Sequence, residues 1–283
     1  MYKLIYNNRY QNQIYTKYDI TFPEEDYGKA QDNVFCVADG VTRDLIGGEI
    51  KPYPQTKEEA MYIAEHYPNP SGAFASSKII ADNFIKYINE MNGKIDEQAI
   101  LKAISMANKD VWEINKDRKI DYVGEDLYCS EAVGGVILDN ILYCFAIGDC
   151  YIKVFDNECK EIFTTENDHL WMEEFENEYL KSGEYNWMNP RYRLLMRAGL
   201  RNNYIVTHNG KKVGYGALTG EGRAIDFVKI YKVDLKDAKY VCAFSDGCIP
   251  YFEGEKINKT LENPDEMIKE NGSERTLIMY KKI

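Results

Sequence analysis

The chain has 283 residues, 45% of them hydrophobic, with 46 acidic against 35 basic side chains and a formal charge of −11. That apolar content supports a sizeable core and excludes a disordered chain. The acidic balance repels nucleic acid and anionic lipid, so neither nucleic acid nor membrane is expected as a partner. Seven cysteines, with no Cys-x-x-Cys pair and several inside apolar runs, read as reduced core thiols rather than a disulfide framework or a zinc site. No run is long enough to span a bilayer, and MYKLIYNNRY lacks the apolar stretch of a signal peptide. A cytoplasmic protein is expected.

In chain order, residues 2–6 and 14–22 are rich in Tyr, Ile and Thr and predict an opening hairpin. Residues 34–40, VFCVADG, then form an apolar run that ends in an Asp-Gly pair, which predicts a strand buried on both faces with Asp39 at its mouth. Asp32 stands at the other end of that run, roughly 20 Å away if the strand is straight. Residues 42–55 hold Gly47, Gly48, Pro52 and Pro54 and predict a loop flanking the mouth. Residues 56–67 predict a short helix closed by Pro68 and Pro70. Ile80, Phe84, Tyr87, Ile88 and Met91 recur at helical spacing, with Asn92-Gly93 as a stop. A further helix follows from Asp96, its N-cap, to about Lys116, and two such amphipathic helices in succession should pack against a sheet.

Residues 130–138 and 141–147, joined by Asp139-Asn140, predict an antiparallel hairpin, which breaks at Gly148-Asp149. Residues 151–155 and 161–165 continue as strands. Helices are expected over 169–181 and 189–198, and the Gly-rich 214–220 is a turn, since it lacks the Lys-Ser/Thr of a phosphate-binding loop. Residues 227–233 and 239–245 are strands, the second ending in Asp246-Gly247. A charged helix over 255–270 and a last strand over 275–281 complete a chain without repeat or linker, so residues 1–283 read as a single domain.

Three strand ends thus carry an Asp beside a Gly: Asp39, Asp149 and Asp246. One such ending is commonly only a turn; three suggest one site built from several strand ends. AQDNVFCVADG, two helices, SEAVGGVILDNILYCFAIGDCYIKVF, YGALTGE, YVCAFSDG and ERTLIMYKKI, in that order from about Gly28 to Ile283, resemble a bacterial member of the metal-dependent protein phosphatase family, type 2C. The resemblance implies an α+β fold, a four-layer α-β-β-α sandwich of two antiparallel sheets flanked by helix pairs. It also implies two Mn2+ or Mg2+ ions at one edge and hydrolysis of phosphoserine or phosphothreonine in a phosphoprotein substrate by metal-activated water. Hard divalent ions take carboxylate and carbonyl oxygens, and the three histidines, irregularly spaced, give zinc chemistry little support.

By the same resemblance, Asp39 bridges both ions, the Gly40 carbonyl joins them, and Asp246 is a further ligand. Asp149 supports an additional metal position, and Asp32 acts through a water. The chain departs from the family pattern in Gln31, in Cys129-Ser130-Glu131-Ala132, and before the last strand, where Ser273 takes the usual ligand position and Glu274 reaches the metals only by a shift. The family's phosphate-binding Arg is missing near the N-terminus, leaving Lys29 as the nearest cation. An alternative reading is a catalytically impaired pseudophosphatase, a regulatory or phosphopeptide-binding module. Whether Glu274 reaches the site discriminates between the two.

Overall fold

The computed structural model describes residues 1–10, 18–41, 45–46, 54–91, 95–182, 189–265 and 274–283. Strand β3 (Val34–Gly40) lies inside a five-stranded sheet with β2 (Tyr27–Gln31), β4 (Ser130–Leu138), β5 (Ile141–Ile147) and β10 (Lys229–Asp234), in the order β10-β5-β4-β3-β2 and antiparallel throughout. A second antiparallel sheet runs β1-β12-β11-β6-β7, from β1 (Tyr2–Tyr10), β6 (Tyr151–Phe155), β7 (Glu161–Thr164), β11 (Tyr240–Phe244) and β12 (Arg275–Lys282).

The alternation of side chains along β3 explains why its sequence is apolar without a break. Phe35 and Val37 face the other sheet, among Val133, Ile152, Val241 and Ile278. Val34, Cys36 and Ala38 face outward onto Ile80, Phe84 and Ile104 of two long helices, α2 (Gly72–Glu90) and α3 (Glu97–Asn115). A strand covered on both sides has no solvent face on which a polar residue would be favoured. Each helix begins where its cap predicts. The Ser71 hydroxyl accepts from Phe74 N, and the Asp96 carboxylate accepts from Gln98 N and Ala99 N. The shorter α1 (Lys57–His66) is capped in the same way by Thr56.

The predicted α+β sandwich is present. Its second outer layer, among the described residues, is made of short pieces rather than a long pair. A 3₁₀ turn, Asp246–Tyr251, and α6 (Lys256–Glu262) bring Cys248, Phe252 and Leu261 onto Phe155, Phe244, Leu277 and Met279. Of the charged helix expected over 255–270, Lys256–Glu262 is α6 and Pro264-Asp265 are helical again after a break at Asn263; residues 266–270 lie outside the described residues, as do Asn92-Gly93. The β4–β5 hairpin turns at Asp139 and Asn140, both at positive φ (48° and 62°), the geometry that matches the twist of paired strands.

The opening hairpin is corrected as far as it is described, residues 14–17 lying outside the described residues. β1 pairs along its length with β12, from Tyr2↔Lys282 to Tyr10↔Arg275, and residues 18–22 form a turn with Phe22 buried against Ile63 and Tyr67. Strand-forming residues identify a strand but not its partner, and here the partner is at the other end of the chain.

A further unit was not foreseen as one. Helix α4 (Met172–Ser182), the short α5 (Pro190–Leu194), its π-helical continuation Leu195–Leu200 and a small hairpin, β8 (Val206–His208) with β9 (Lys211–Val213), follow β7. Phe175, Tyr192, Met196, Leu200, Val213 and Tyr215 give this insertion its own apolar cluster. The seven cysteines are free and all but Cys159 are buried, and no described helix is long and apolar enough to cross a membrane.

Candidate metal centre

The antiparallel sheets bring carboxylates from separate elements to one edge of the sandwich. Asp39 ends β3 and stands opposite Glu131 of β4, with Gly40 opposite Ser130. Asp149 follows β5, and Asp246 follows β11 of the facing sheet. Asp26 precedes β2 and Glu274 precedes β12. Asp39 feels the charges of Asp26, Asp246, Asp149 and Glu274, which places all of them about a common centre.

Two glycines are needed to close that centre. Gly148 sits at φ +80°, and a Cβ there would fall 1.9 Å from Glu131 Oε2. A Cβ on Gly247 would fall 1.9 Å from the carbonyl of Glu274. In both cases the neighbour is another member of the cluster, so the Gly beside each Asp admits a second carboxylate-bearing segment.

Hydrogen bonds fix the arrangement. Glu274 Oε1 accepts from the backbone N–H groups of Glu25 and Asp26, 2.8 Å each, and pins the loop that carries Asp26. Glu131 Oε2 accepts from Asp149 N at 2.7 Å. His169 lies between these two side chains, Nε2 3.1 Å from Glu131 Oε1 and Nδ1 3.4 Å from Asp149 Oδ2. Asp26 and Asp246 each approach Asp39 closely enough to share a proton with it.

The electrostatics are those of a densely anionic site. Burial, then repulsion from neighbouring carboxylates, holds Asp26, Asp39 and Asp149 well above the usual carboxylate range. Burial likewise pushes Glu131 and Glu274 up to about 8. Asp246, the most open of the group, stands at the mouth and is raised as well, burial of its carboxyl being the first cause. Among the described residues no Lys or Arg pairs with any of these carboxylates. Asp26 Oδ2 is buried without a hydrogen-bond partner, and Glu131 Oε1 is buried with only the His169 ring beside it, outside hydrogen-bond geometry. Orphaned buried acceptors in an oxygen-rich cluster are what a hard divalent cation satisfies. Ligand atoms of Asp39, Asp149 and Cys150, and of Glu131, Asp149 and His169, lie within 4.8 Å of one another.

Of the residues singled out from sequence, Asp39, Gly40, Asp149, Asp246 and Glu274 come together here. Asp32 does not. It occupies the β2–β3 turn at φ 54°, exposed, at the far end of β3, where its carbonyl accepts from the Tyr280 hydroxyl at 3.0 Å. Lys29 is also elsewhere, its Nζ 2.7 Å from Asp82 Oδ1 on α2. Ser273 and most of the loop at 42–55 lie outside the described residues.

Sequence reading passed over Asp26, Glu131, His169 and Arg9. Glu25-Asp26 before a strand repeats the pattern of an acid at a strand end, without the glycine that marks the other three. Glu131 is an acid inside an apolar strand, a signal in itself, since such a residue is rarely buried unless something satisfies it. Arg9 lies on β1, with Nη1 3.4 Å from the carbonyl of Asp26, 3.1 Å from Glu24 and the guanidinium over the Tyr27 ring, at the rim of the acidic centre.

No family model and no curated protein sequence matches the chain. Solved structures do. The serine/threonine phosphatase PstP/Ppp of Mycobacterium tuberculosis superposes with a TM-score of 0.58 at 12% identity, covering 99% of this chain and 98% of that one. The chain has a serine/threonine phosphatase fold. The phosphatase Stp1 of Staphylococcus aureus shares it, with a TM-score of 0.56, 14% identity, and 100% and 94% of the two chains covered. So does the catalytic domain of PstP in complex with two manganese ions, with a TM-score of 0.55, 11% identity, and 99% and 97% covered. The acidic centre described above therefore lies on a phosphatase fold, matched over nearly the whole length of both chains.

Proposed function

We propose that this protein hydrolyses phosphoserine and phosphothreonine in phosphoprotein substrates, using two divalent ions, Mn2+ or Mg2+, held at the acidic centre. The observation that carries the reading is the convergence of Asp26, Asp39, Asp149, Asp246 and Glu274, all but the exposed Asp246 buried or half-buried and mutually repelling, with no Lys or Arg among the described residues to neutralise them. The shared fold, seen in a neighbour that holds two manganese ions, supports it.

In this reading Asp39, at the centre of the group, Asp246 and the Gly40 carbonyl would hold the ions. Glu274 holds the Glu25–Asp26 loop in place through its two backbone hydrogen bonds and lends its charge to the centre. Two such ions, when bound, would supply an activated water and charge to neutralise phosphoryl oxygens. Asp149, oriented by Glu131 and His169, lines the opposite side. Arg9, held by Glu24 and stacked on Tyr27, is the cation placed to meet the incoming phosphate, a role Lys29 cannot fill while paired with Asp82. Because Glu274 joins the cluster, the feature that would separate an enzyme from a binding-only module favours the enzyme.

Turnover of p-nitrophenyl phosphate and of a phosphothreonine peptide should require Mn2+ and vanish in Asp39→Asn. Equal turnover in chelator would refute the two-ion mechanism.

A further inference from the structure

In a chain with a net charge of −11, four arginines gather around Asp126, two of them on its carboxylate. Arg193, Arg197 and Arg201 lie at successive i,i+4 positions along α5 and its π-helical continuation, and all three are buried, at 4%, 6% and 4% exposure. Asp126, itself 3% exposed, is the acid that faces them. Arg201 takes it bidentately, Nη2 to Oδ1 at 2.6 Å and Nη1 to Oδ2 at 3.1 Å, and Oδ1 also accepts from Leu127 N. Arg197 Nη1 stands 3.0 Å from Oδ2 without forming a hydrogen bond. Arg193 donates Nε to the carbonyl of Val123, and among the described residues its remaining N–H groups have no acceptor. Arg118 donates to the carbonyl of Asp126 and leans on Glu125 at 3.8 Å and on the Tyr128 ring. The nearby Asp121 carboxylate accepts from the backbone N–H groups of Val123, Gly124 and Glu125, and its charge acts on Arg193 from outside the cluster.

The three buried guanidiniums therefore carry two positive charges more than the carboxylate between them. Burying an unpaired charge is unfavourable, and the strain is visible at Arg193, whose guanidinium burial and the neighbouring Arg197 push down to about 10. A tetrahedral dianion would balance the charge and give the unused forks oxygens to bind.

We propose that Arg193 and Arg197 form a phosphoryl-binding site separate from the acidic centre. Its position suits a second phosphate on a substrate. Asp126 is joined through Leu127, Tyr128 and Cys129 to Ser130, which pairs with Gly40, a span of roughly 13 Å in extended chain. On the other side Arg201 neighbours Tyr215, whose ring packs edge-on against His169 of the acidic centre. A phosphopeptide with a further phosphate about four residues from the scissile one spans that interval. This last step rests on the phosphatase reading; the binding of phosphate does not.

The test uses the full chain carrying Asp39→Asn, in chelator, so that the acidic centre takes no part. Calorimetric titration with inorganic phosphate should show one site, weakened at least ~10-fold by Arg193→Gln or Arg197→Gln and retained in part by Arg193→Lys. In the same protein, phosphate should slow backbone hydrogen exchange across residues 121–127 and 190–201, a measurement that needs no arginine variant to fold. Absence of binding, protection elsewhere, or undiminished affinity in both folded Gln variants would overturn the site. With the metal-loaded wild type, a doubly phosphorylated peptide should have a KM ~10-fold below that of its singly phosphorylated form. Arg193→Gln should abolish the difference and leave p-nitrophenyl phosphate turnover unchanged. If inorganic phosphate binds but the two peptides behave alike, the site stands as one for free phosphate and the second-phosphate assignment falls.

Discussion

Glu274 shows how one residue's position can decide a reading. Its Oε1 holds two backbone N–H groups of the loop before β2, so it shapes the centre as well as charging it. Glu274→Gln keeps an acceptor for that loop but removes the charge. It is expected to lower Mn2+ affinity about 10-fold with little loss of stability, whereas Glu274→Ala should lose both, since a hydrogen bond to a charged group contributes about 1.5–3 kcal/mol. Asp32→Asn and Lys29→Ala provide the contrast. Steady-state kinetics should change less than about 2-fold for either, because Asp32 sits in a distant turn and Lys29 answers to Asp82. An Asp beside a Gly at a strand end is legible as a motif, and Asp39, Asp149 and Asp246 were found that way. Asp26, Glu131 and Arg9 were not, since each becomes significant only through what the fold sets beside it.

At the scale of elements, local chemistry carried most of the prediction. The helical spacing of Ile80, Phe84 and Ile88, the caps Ser71 and Asp96, and the Asp139-Asn140 turn are written within a few residues of the structure they specify. Asp96→Ala removes an acceptor used by two N–H groups and should lower stability in urea unfolding by about 1 kcal/mol without altering metal affinity. Strand pairing is a different matter. β1 carries an edge-strand pattern compatible with several partners, and its choice of β12 depends on where the final strand lies after the rest of the sheet has formed. The insertion holding α4, α5 and the β8–β9 hairpin was visible only as scattered helices because its core is assembled from six separated apolar residues.

The whole molecule bears the cost of its acidic centre. Without metal, Glu131 and Glu274 keep protons in the folded state, at about 8, that the unfolded chain releases near its ordinary 4.5. The stability they contribute is complete below about pH 4.5 and is lost as pH rises toward 8, because the folded form then binds more protons than the unfolded one. Urea unfolding in chelator should therefore show lower stability at pH 8 than at pH 5, with the fully buried Glu131 alone contributing on the order of a few kcal/mol. Saturating Mn2+ should reverse the trend across the same window, as ions and protons compete for the same oxygens. Little of this could be read from composition, where a charge of −11 looks the same whether it is spread over the surface or gathered at one edge.

The central claim is that these carboxylates are assembled to hold divalent ions. Titration of Mn2+ into the purified protein, with free ion followed by electron paramagnetic resonance, tests it directly. Two equivalents should bind to the wild type, and Asp39→Asn should lose both or retain one at least ~100-fold more weakly. A wild type that leaves Mn2+ free, or an Asp39→Asn protein that binds it equally well, would contradict the account.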